Sequence, residues 1–198
     1  MNVFPHFAKA CLCSLLFSAS ASADDTSLYA DVLPDDASFV RFVGFEGKDN
    51  AAFAGFTFDL IAQDAGKYIP VSASKLTNVT SGSYTTVLRD DDGTLRTINE
   101  AHRSRQSKVA LLLVNGTQTP LELRLADGSV AVIKDVNPAT SGLREVNPVA
   151  ITLGVFAMDQ QIPLATFDVA LRRGQNLSFV ADDTGVRLIE NQFAALAK

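Results

Sequence analysis

The sequence predicts an all-β protein built from two small antiparallel β-sandwich domains joined by a polar linker. Short runs rich in Val, Leu, Phe and Thr recur along the chain, and several alternate apolar with polar residues. Clusters of Gly, Asn and Asp separate these runs, as expected for tight turns. Residues 82–93 and 174–185 also align without gaps, which indicates that one β unit occurs twice.

The first 23 residues are typical of a secretory signal peptide. Lys9 precedes an apolar stretch at residues 10–17, which is too short to span a bilayer. Ala21 and Ala23 form a small-residue cleavage site before Asp24. We therefore expect cleavage after Ala23 and a periplasmic location, with an ordinary amphipathic N-terminal helix as the alternative.

Cleavage at this site would remove both cysteines of the chain. The mature protein would then have no disulfide, no thiol nucleophile and no thiolate metal ligand. Its length suffices for one large or two small hydrophobic cores. The formal net charge of −5, or about −6 without Lys9, argues against nucleic acid as a partner because phosphate binding needs a basic surface.

The strands are predicted in order from their apolar runs. Residues 121–133 carry the clearest local pattern, in which alternating leucines lead to Asp127-Gly128 and an apolar return, so we expect a β-hairpin with a primed turn. Only residues 191–198 have a helical pattern. The other predicted strands are residues 38–45, 55–62, 83–89, 109–116, 149–158, 165–172, 176–183 and 186–190.

A polar, basic stretch without apolar periodicity separates the two halves. We assign residues 24–98 to an N-terminal β-sandwich domain, residues 99–107 to the linker and residues 108–198 to a C-terminal β-sandwich domain. The repeat supports this division, because residues 38–47 also align with residues 107–116. If the similarity arose by chance, a single larger sandwich is the alternative.

No residue pattern in the mature chain favours catalysis. His102 is the only histidine left after cleavage, and it lies in the linker without a nucleophile motif nearby. The carboxylates at residues 90–92 and 182–183 precede glycines at equivalent places in the repeat, which favours turns over acid–base work on sugars. The usual zinc sets and the calcium-loop spacing are missing, so we expect no metal and no cofactor.

Carbohydrate binding has only weak support in the composition. The chain has no Trp, and its tyrosines are Tyr29, Tyr68 and Tyr84. The many Phe residues fall at strand-core spacing, which favours packing over sugar stacking. A polysaccharide-binding module stays open as an alternative function.

The segment "GLREVNPVAITLGVF" places two charges at the entrance of a strand. Arg144 and Glu145 follow a turn that ends at Gly142, and Asn147-Pro148 begin the next strand. An arginine here can make a bidentate contact with a carboxylate of a partner protein or of a uronate. A local surface ion pair is the alternative.

Four stretches together resemble the AlgF family of alginate O-acetylation proteins. They are "LYADVLPDDASFVRFV", "LELRLADGSVAVIKDVNPA", "GLREVNPVAITLGVF" and "LRRGQNLSFV", and their order and spacing match the family from about Leu28 to Ile189. The resemblance is weak between residues 46 and 75.

The resemblance implies a periplasmic component of the machinery that acetylates mannuronate hydroxyls in alginate or a related exopolysaccharide. A membrane-bound acyltransferase passes acetyl groups across the inner membrane, and periplasmic SGNH-type acetyltransferases move them to the polymer. An AlgF-like protein has no recognised catalytic motif, so we expect a non-catalytic adaptor that docks these proteins. The candidate partner-binding residues are Arg41, Arg144, Glu145 and Asn147, although interdomain packing could also explain them. An acetyl carrier or transferase is the enzymatic alternative.

Overall fold

The computed structural model describes residues 32–45, 50–101, 104–105 and 107–198. The predicted signal peptide and its cleavage site lie outside the described residues, as does His102. The described part consists of strands, turns and two short 3-10 turns, so the all-β prediction is confirmed. None of its helices is long and apolar enough to cross a membrane.

Six strands precede the polar stretch and eight follow it. The first six are β1 (Ala37–Val43), β2 (Asn50–Phe53), β3 (Phe56–Asp59), β4 (Tyr68–Ser72), β5 (Tyr84–Arg89) and β6 (Leu95–Glu100). The others are β7 (Val109–Asn115), β8 (Leu121–Leu125), β9 (Ala131–Val136), β10 (Thr140–Val146), β11 (Ala150–Ala157), β12 (Ala165–Ala170), β13 (Asn176–Asp182) and β14 (Gly185–Glu190).

These strands form three four-stranded sheets and one hairpin. The first sheet has the order β4-β1-β5-β6, the second β10-β7-β13-β14 and the third β12-β11-β8-β9, while β2 pairs with β3. Most pairs are antiparallel, as expected. However, β1 runs parallel to β5 and β7 runs parallel to β13, which the sequence did not predict.

The strand order confirms the internal repeat. In both the first and the second sheet, the central parallel pair is flanked by two antiparallel strands. The predicted alignment of the opening strands is nevertheless two residues out of register. Phe39 pairs with Tyr84, and Ala110 pairs with Asn176, whereas the sequence alignment placed Ala110 opposite Arg41. A shift of two leaves the inward and outward faces unchanged, so the apolar pattern could not reveal it.

Alternation along the central strands divides the apolar residues among three clusters. Val40 and Phe42 of β1 pack with the β2–β3 hairpin, and Leu111 and Leu113 of β7 pack against the third sheet. Residues of the opposite parity form a third cluster: Val43, Leu88, Ile98, Leu112, Val114 and Val180. The first and second sheets therefore pack face to face, and we call the layer between them the junction.

Three local predictions are wrong. Residues 140–146, where we expected a turn ending at Gly142 and a strand entrance at Arg144, form the continuous strand β10, because they pair along their whole length with β7. Residues 191–198 form no helix; they run along the edge of β4, where Tyr68 N–H donates to the Gln192 carbonyl at 2.9 Å and Ala194 N–H donates to the Tyr68 carbonyl at 2.9 Å. So short a segment has only a weak tendency to form a helix. The unpaired backbone groups at the edge of β4 offer it hydrogen bonds instead, and these outweigh that tendency. The β8–β9 hairpin exists, but its turn is not primed, because Gly128 has positive φ and Asp127 does not.

Candidate functional site

A buried ion pair lies at the centre of the junction. Arg41 of β1 has no exposed surface, and its Nη2 lies 2.7 Å from Oε1 of Glu100, the last residue of β6. Its Nε donates to Thr86 Oγ1 at 2.9 Å, and its Nη1 donates to Asn191 Oδ1 at 2.9 Å. Every nitrogen of the guanidinium is thus engaged within the protein, which is the condition under which a buried charge is tolerated.

The carboxylate of Glu100 is equally saturated. Thr86 Oγ1 donates to the same oxygen as Arg41, and the Tyr68 hydroxyl donates to the other. The guanidinium also lies over the Tyr68 ring, 4.6 Å from its centroid. Burial and the nearby Glu100 carboxylate raise the pKa of Tyr68, so its hydroxyl remains a neutral donor over the physiological range.

Residues from the second half of the chain complete this network. Asn191, directly after β14, accepts from Arg41 and also from Ser178 Oγ at 2.8 Å. Ser178 belongs to β13 of the second sheet. The network therefore links both sheets and the start of the C-terminal segment through directional, charge-assisted contacts, which fixes their relative position more strictly than apolar packing alone.

A cavity of about 340 Å³ opens beside this network. Three aromatic rings, those of Tyr68, Tyr84 and Phe193, line it from the first sheet and the C-terminal segment. Ala110, Leu112 and Leu143 line it from the second sheet, and Glu100, Ala101, Ser104, Asn176 and Asn191 supply the remaining wall.

The predicted partner-binding residues occupy two separate places. Arg41 lies inside the junction, where the interdomain-packing alternative fits its surroundings. Arg144, Glu145 and Asn147 lie on or beside β10 at the surface, with Arg144 and Asn147 exposed. The structure brings these three together but does not bring Arg41 to them, and their role in partner binding stays a prediction.

Glu145 binds the backbone of two described residues in the polar stretch between the two halves. Its Oε1 accepts from the backbone N–H of Ser104 at 2.7 Å and of Arg105 at 2.8 Å. These bonds, led by the one from Arg105, lower the pKa of Glu145 below its usual value. Beside it, Lys108 Nζ donates to Asn147 Oδ1. No ion pair joins Arg144 to Glu145 within the described chain, because consecutive strand residues point to opposite faces.

The acidic runs form turns, as predicted. Asp90 and Asp182 occupy equivalent strand ends, and each carboxylate pairs at 2.7 Å with an arginine of the next strand, Arg96 and Arg187 respectively. Arg96 also reaches Asp183 at 3.0 Å, so it links the turn of one half to the turn of the other. Among the described residues no cluster of His, Cys, Asp or Glu is arranged to hold a metal ion.

Sequence reasoning missed Glu100, Tyr68 and Asn191. Glu100 was assigned to the linker, although it is the last residue of β6 and is buried. One signal could have revealed it: Arg41 interrupts the apolar run "SFVRFV", and a strand buried on both faces cannot hold a cation without a buried carboxylate nearby. Strand pairing determines which carboxylate lies beside Arg41, and the sequence alone does not reveal this pairing.

Comparisons with known proteins agree on one family. A family model described as alginate O-acetyl transferase AlgF matches residues 11–178. An alginate biosynthesis protein AlgF from Pseudomonas fluorescens is 29% identical over 170 residues, covering 80% of this chain and 78% of its own. Its counterpart from Pseudomonas putida is 28% identical over 180 residues, covering 82% and 80%. The solved C-terminal domain of AlgF from P. aeruginosa is 28% identical, covers 42% of this chain and 96% of that domain, and has a TM-score of 0.37.

Proposed function

The chain belongs to the AlgF family of alginate O-acetylation proteins, and from this premise we propose that it is a non-catalytic periplasmic adaptor. In this role it docks periplasmic SGNH-type acetyltransferases, and with them a membrane-bound acyltransferase, during O-acetylation of alginate or a related exopolysaccharide. Family membership supports the pathway, and the structure supports the adaptor role within it.

The observation that carries the adaptor role is the saturated ion pair of the junction. The side chains of Arg41 and Glu100 are 0% and 1% exposed, and each of their polar atoms is bound by another residue of the protein. Groups held in this way are unsuited to contacting a substrate, because displacing either one would break several hydrogen bonds at once. They are well suited to holding two β-sheet units as one rigid body with separate outward surfaces.

The surface around β10 supports a docking role at one end of this body. The Glu145 carboxylate accepts from the backbone N–H groups of Ser104 and Arg105, so these two residues are held against β10. Arg144 is exposed beside it, and its guanidinium makes no hydrogen bond or ion pair with another described residue. An exposed guanidinium on an ordered strand is a suitable group for a bidentate contact with a carboxylate of a partner.

The adaptor role is tested by capture combined with genetics. Mature protein is immobilised and incubated with the purified periplasmic acetyltransferases of its own strain, while polymer acetate is measured after in-frame deletion of the gene. We expect specific capture and loss of acetate. Loss of acetate without capture contradicts the adaptor, and unchanged acetate contradicts the pathway.

Charge reversal then tests the β10 surface. Arg144→Glu should weaken capture, whereas Arg172→Glu, a change of the same size at another exposed arginine, should not. Equal capture by wild type and Arg144→Glu, with the fold intact, would remove Arg144 from the interface.

The enzymatic alternative draws on the family description, which names an O-acetyl transferase. Incubation with an acetyl-ester donor distinguishes it, since a carrier would gain the mass of one acetyl group on intact-mass analysis. Titration with oligomannuronate distinguishes the polysaccharide-binding alternative, which requires saturable binding.

A further inference from the structure

We infer that the junction is an internal pseudo-twofold interface, in which the two halves of the chain meet as two copies of one subunit meet in a symmetric dimer. The partner that each junction face fits is therefore a copy of the same β unit. Strand register, reciprocal contacts and the composition of the buried layer carry this inference, which is independent of the adaptor function.

Strand register defines which residues are equivalent in the two halves. Thr86 of β5 and Ser178 of β13 occupy the same place in the gapless alignment of the repeat. Arg41 lies opposite Thr86 in the first parallel pair, and Leu112 lies opposite Ser178 in the second, so Arg41 and Leu112 are equivalent. By the same register the further equivalent pairs are Val43 with Val114, Leu88 with Val180, Ile98 with Ile189, Tyr68 with Leu143, Pro70 with Glu145, and Glu100 with Asn191.

The buried layer of the junction is built from equivalent residues. Its apolar cluster joins three residues of the first sheet, Val43, Leu88 and Ile98, to their own counterparts in the second, Val114, Val180 and Ile189. Each sheet thus presents the same face to the other. Two like faces that pack on each other are related by a half-turn, which is the geometry of the interface in a twofold dimer.

The residues that follow the last strand of each half are exchanged between the halves. After β6, the N–H groups of Ser104 and Arg105 donate to Glu145 of β10. After β14, the N–H of Ala197 donates to the carbonyl of Pro70 in β4 at 2.8 Å. Pro70 and Glu145 hold equivalent register positions on their strands. Each half therefore secures the edge strand of the other, and this reciprocity distinguishes a twofold interface from a one-way contact between unlike domains.

The buried ion pair spans this pseudo-twofold relation. Arg41 binds Glu100 of its own half and Asn191, the counterpart of Glu100, in the other half. Thr86 and Ser178, which are also counterparts, complete the network, since one binds Arg41 and the other binds Asn191. A strictly symmetric network would bury a second arginine beside the first, and the repulsion between them would add to the cost of desolvation. A single cation that serves both counterparts avoids this cost.

The cavity of the junction lies where the two halves differ in the size of their side chains. Tyr84 and Tyr68 of the first sheet correspond to the smaller Asn176 and Leu143 of the second, and all four line the cavity. Leu112 lines it as well. The volume of about 340 Å³ therefore leaves space beside Leu112 for a longer side chain, such as that of its counterpart Arg41.

The first test moves the negative charge to its equivalent position and measures the urea midpoint of unfolding. Glu100→Gln should lower the midpoint, because Arg41 then lacks an anion. Asn191→Asp should lower the midpoint of the wild type, because a second carboxylate is buried, yet it should raise that of Glu100→Gln, because a carboxylate again faces Arg41. Asn99→Asp, the same change at an exposed neighbour of Glu100, should not raise it. A double variant with a midpoint at or below that of Glu100→Gln would overturn the inference.

The second test moves the positive charge and separates twofold equivalence from simple contact. Arg41→Leu combined with Leu112→Arg exchanges the two side chains, and the half-turn then places the new guanidinium between Glu100 and Asn191, where the native one lies. Arg41→Leu combined with Val114→Arg is the control, because Val114 is buried on the same face of β7. We expect the exchange to raise the urea midpoint above that of Arg41→Leu alone and the control to lower it. An exchange variant that unfolds at no higher urea concentration than Arg41→Leu alone, or that does not fold, would overturn the inference.

Discussion

Removal of Arg41 should be among the most destabilising single changes outside the apolar cores. Arg41→Ala deletes hydrogen bonds to Thr86, Asn191 and Glu100 and leaves the Glu100 carboxylate buried with only two neutral donors. The Glu100 side chain is 1% exposed, so solvent screens the charge left without its cation only weakly. Breaking a buried pair in this way costs about 3–5 kcal/mol of unfolding free energy, a large fraction of the total stability of most domains.

A control and a double variant isolate the ion pair from generic effects of truncation. Arg172→Ala breaks the exposed Arg172–Glu190 pair, whose side chains are 74% and 47% exposed, and should cost less than about 1 kcal/mol. Arg41→Ala combined with Glu100→Ala removes both charges. We expect the double variant to cost clearly less than the sum of the single variants, because the second change removes the charge that the first left unpaired.

Urea unfolding followed by circular dichroism measures these differences, provided that the slope with denaturant stays constant across the variants. A cost for Arg41→Ala of about 1 kcal/mol or less, equal to that of Arg172→Ala, would refute the reasoning. So would additive single costs in the cycle, since they would mean that Arg41 and Glu100 do not interact.

Three further predictions concern the surroundings of the junction. Burial and the Glu100 carboxylate raise the pKa of Tyr68 in the folded state; its stabilising contribution is therefore complete below the unfolded value of about 10 and is lost as pH rises through the folded value. Urea unfolding from about pH 8 to about pH 11 should show the start of this loss above about pH 10, and Tyr68→Phe should reduce the slope there. A variant that keeps the slope would assign the loss to another group. Backbone donors lower the pKa of Glu145, so its contribution to stability is present above the unfolded value of about 4.3 and is lost as pH falls through the folded value. Glu145→Gln removes the charged acceptor at every pH and should speed amide exchange at Arg105 at neutral pH. Unchanged exchange would contradict the contact. Ala194→Pro removes the N–H that bonds to the Tyr68 carbonyl and should lower the unfolding free energy by about 1 kcal/mol. Ala195→Pro, at an exposed neighbour, should lower it less. Equal decreases in melting temperature for the two variants would argue against a strand-like C-terminal segment.

Much of the secondary structure was accessible from sequence because it depends on local patterning. Alternating leucines at residues 121–125 predict a strand, and β8 lies there, although Glu122 on its other face is buried as well. The repeat was visible because both copies end in an Asp-rich turn before glycine, and Asp90 and Asp182 hold equivalent places. The type of the β8–β9 turn was not accessible, since Asp127-Gly128 is compatible with several turns.

The candidate site was only half accessible. Arg41 stood out by its position within an apolar strand, yet its placement at the junction follows from parallel pairing of β1 with β5, which brings Thr86 beside it. Glu100 stood in a polar stretch that had no apolar pattern to mark the end of β6. Residues 191–198 are short and alanine-rich, and their strand-like course depends on the free edge of β4, which no local property of the segment encodes.

The sequence by itself determined the β class, the duplicated unit and the family, because these rest on the order and periodicity of residues along the chain. The tertiary structure decided which faces meet and which charges pair. Arg41 and Glu100 are separated by 59 positions, and Arg41 and Asn191 by 150. Contacts over such separations are selected by the packing of whole sheets, where a buried cation is stable only if the fold delivers its counter-charge to the same place.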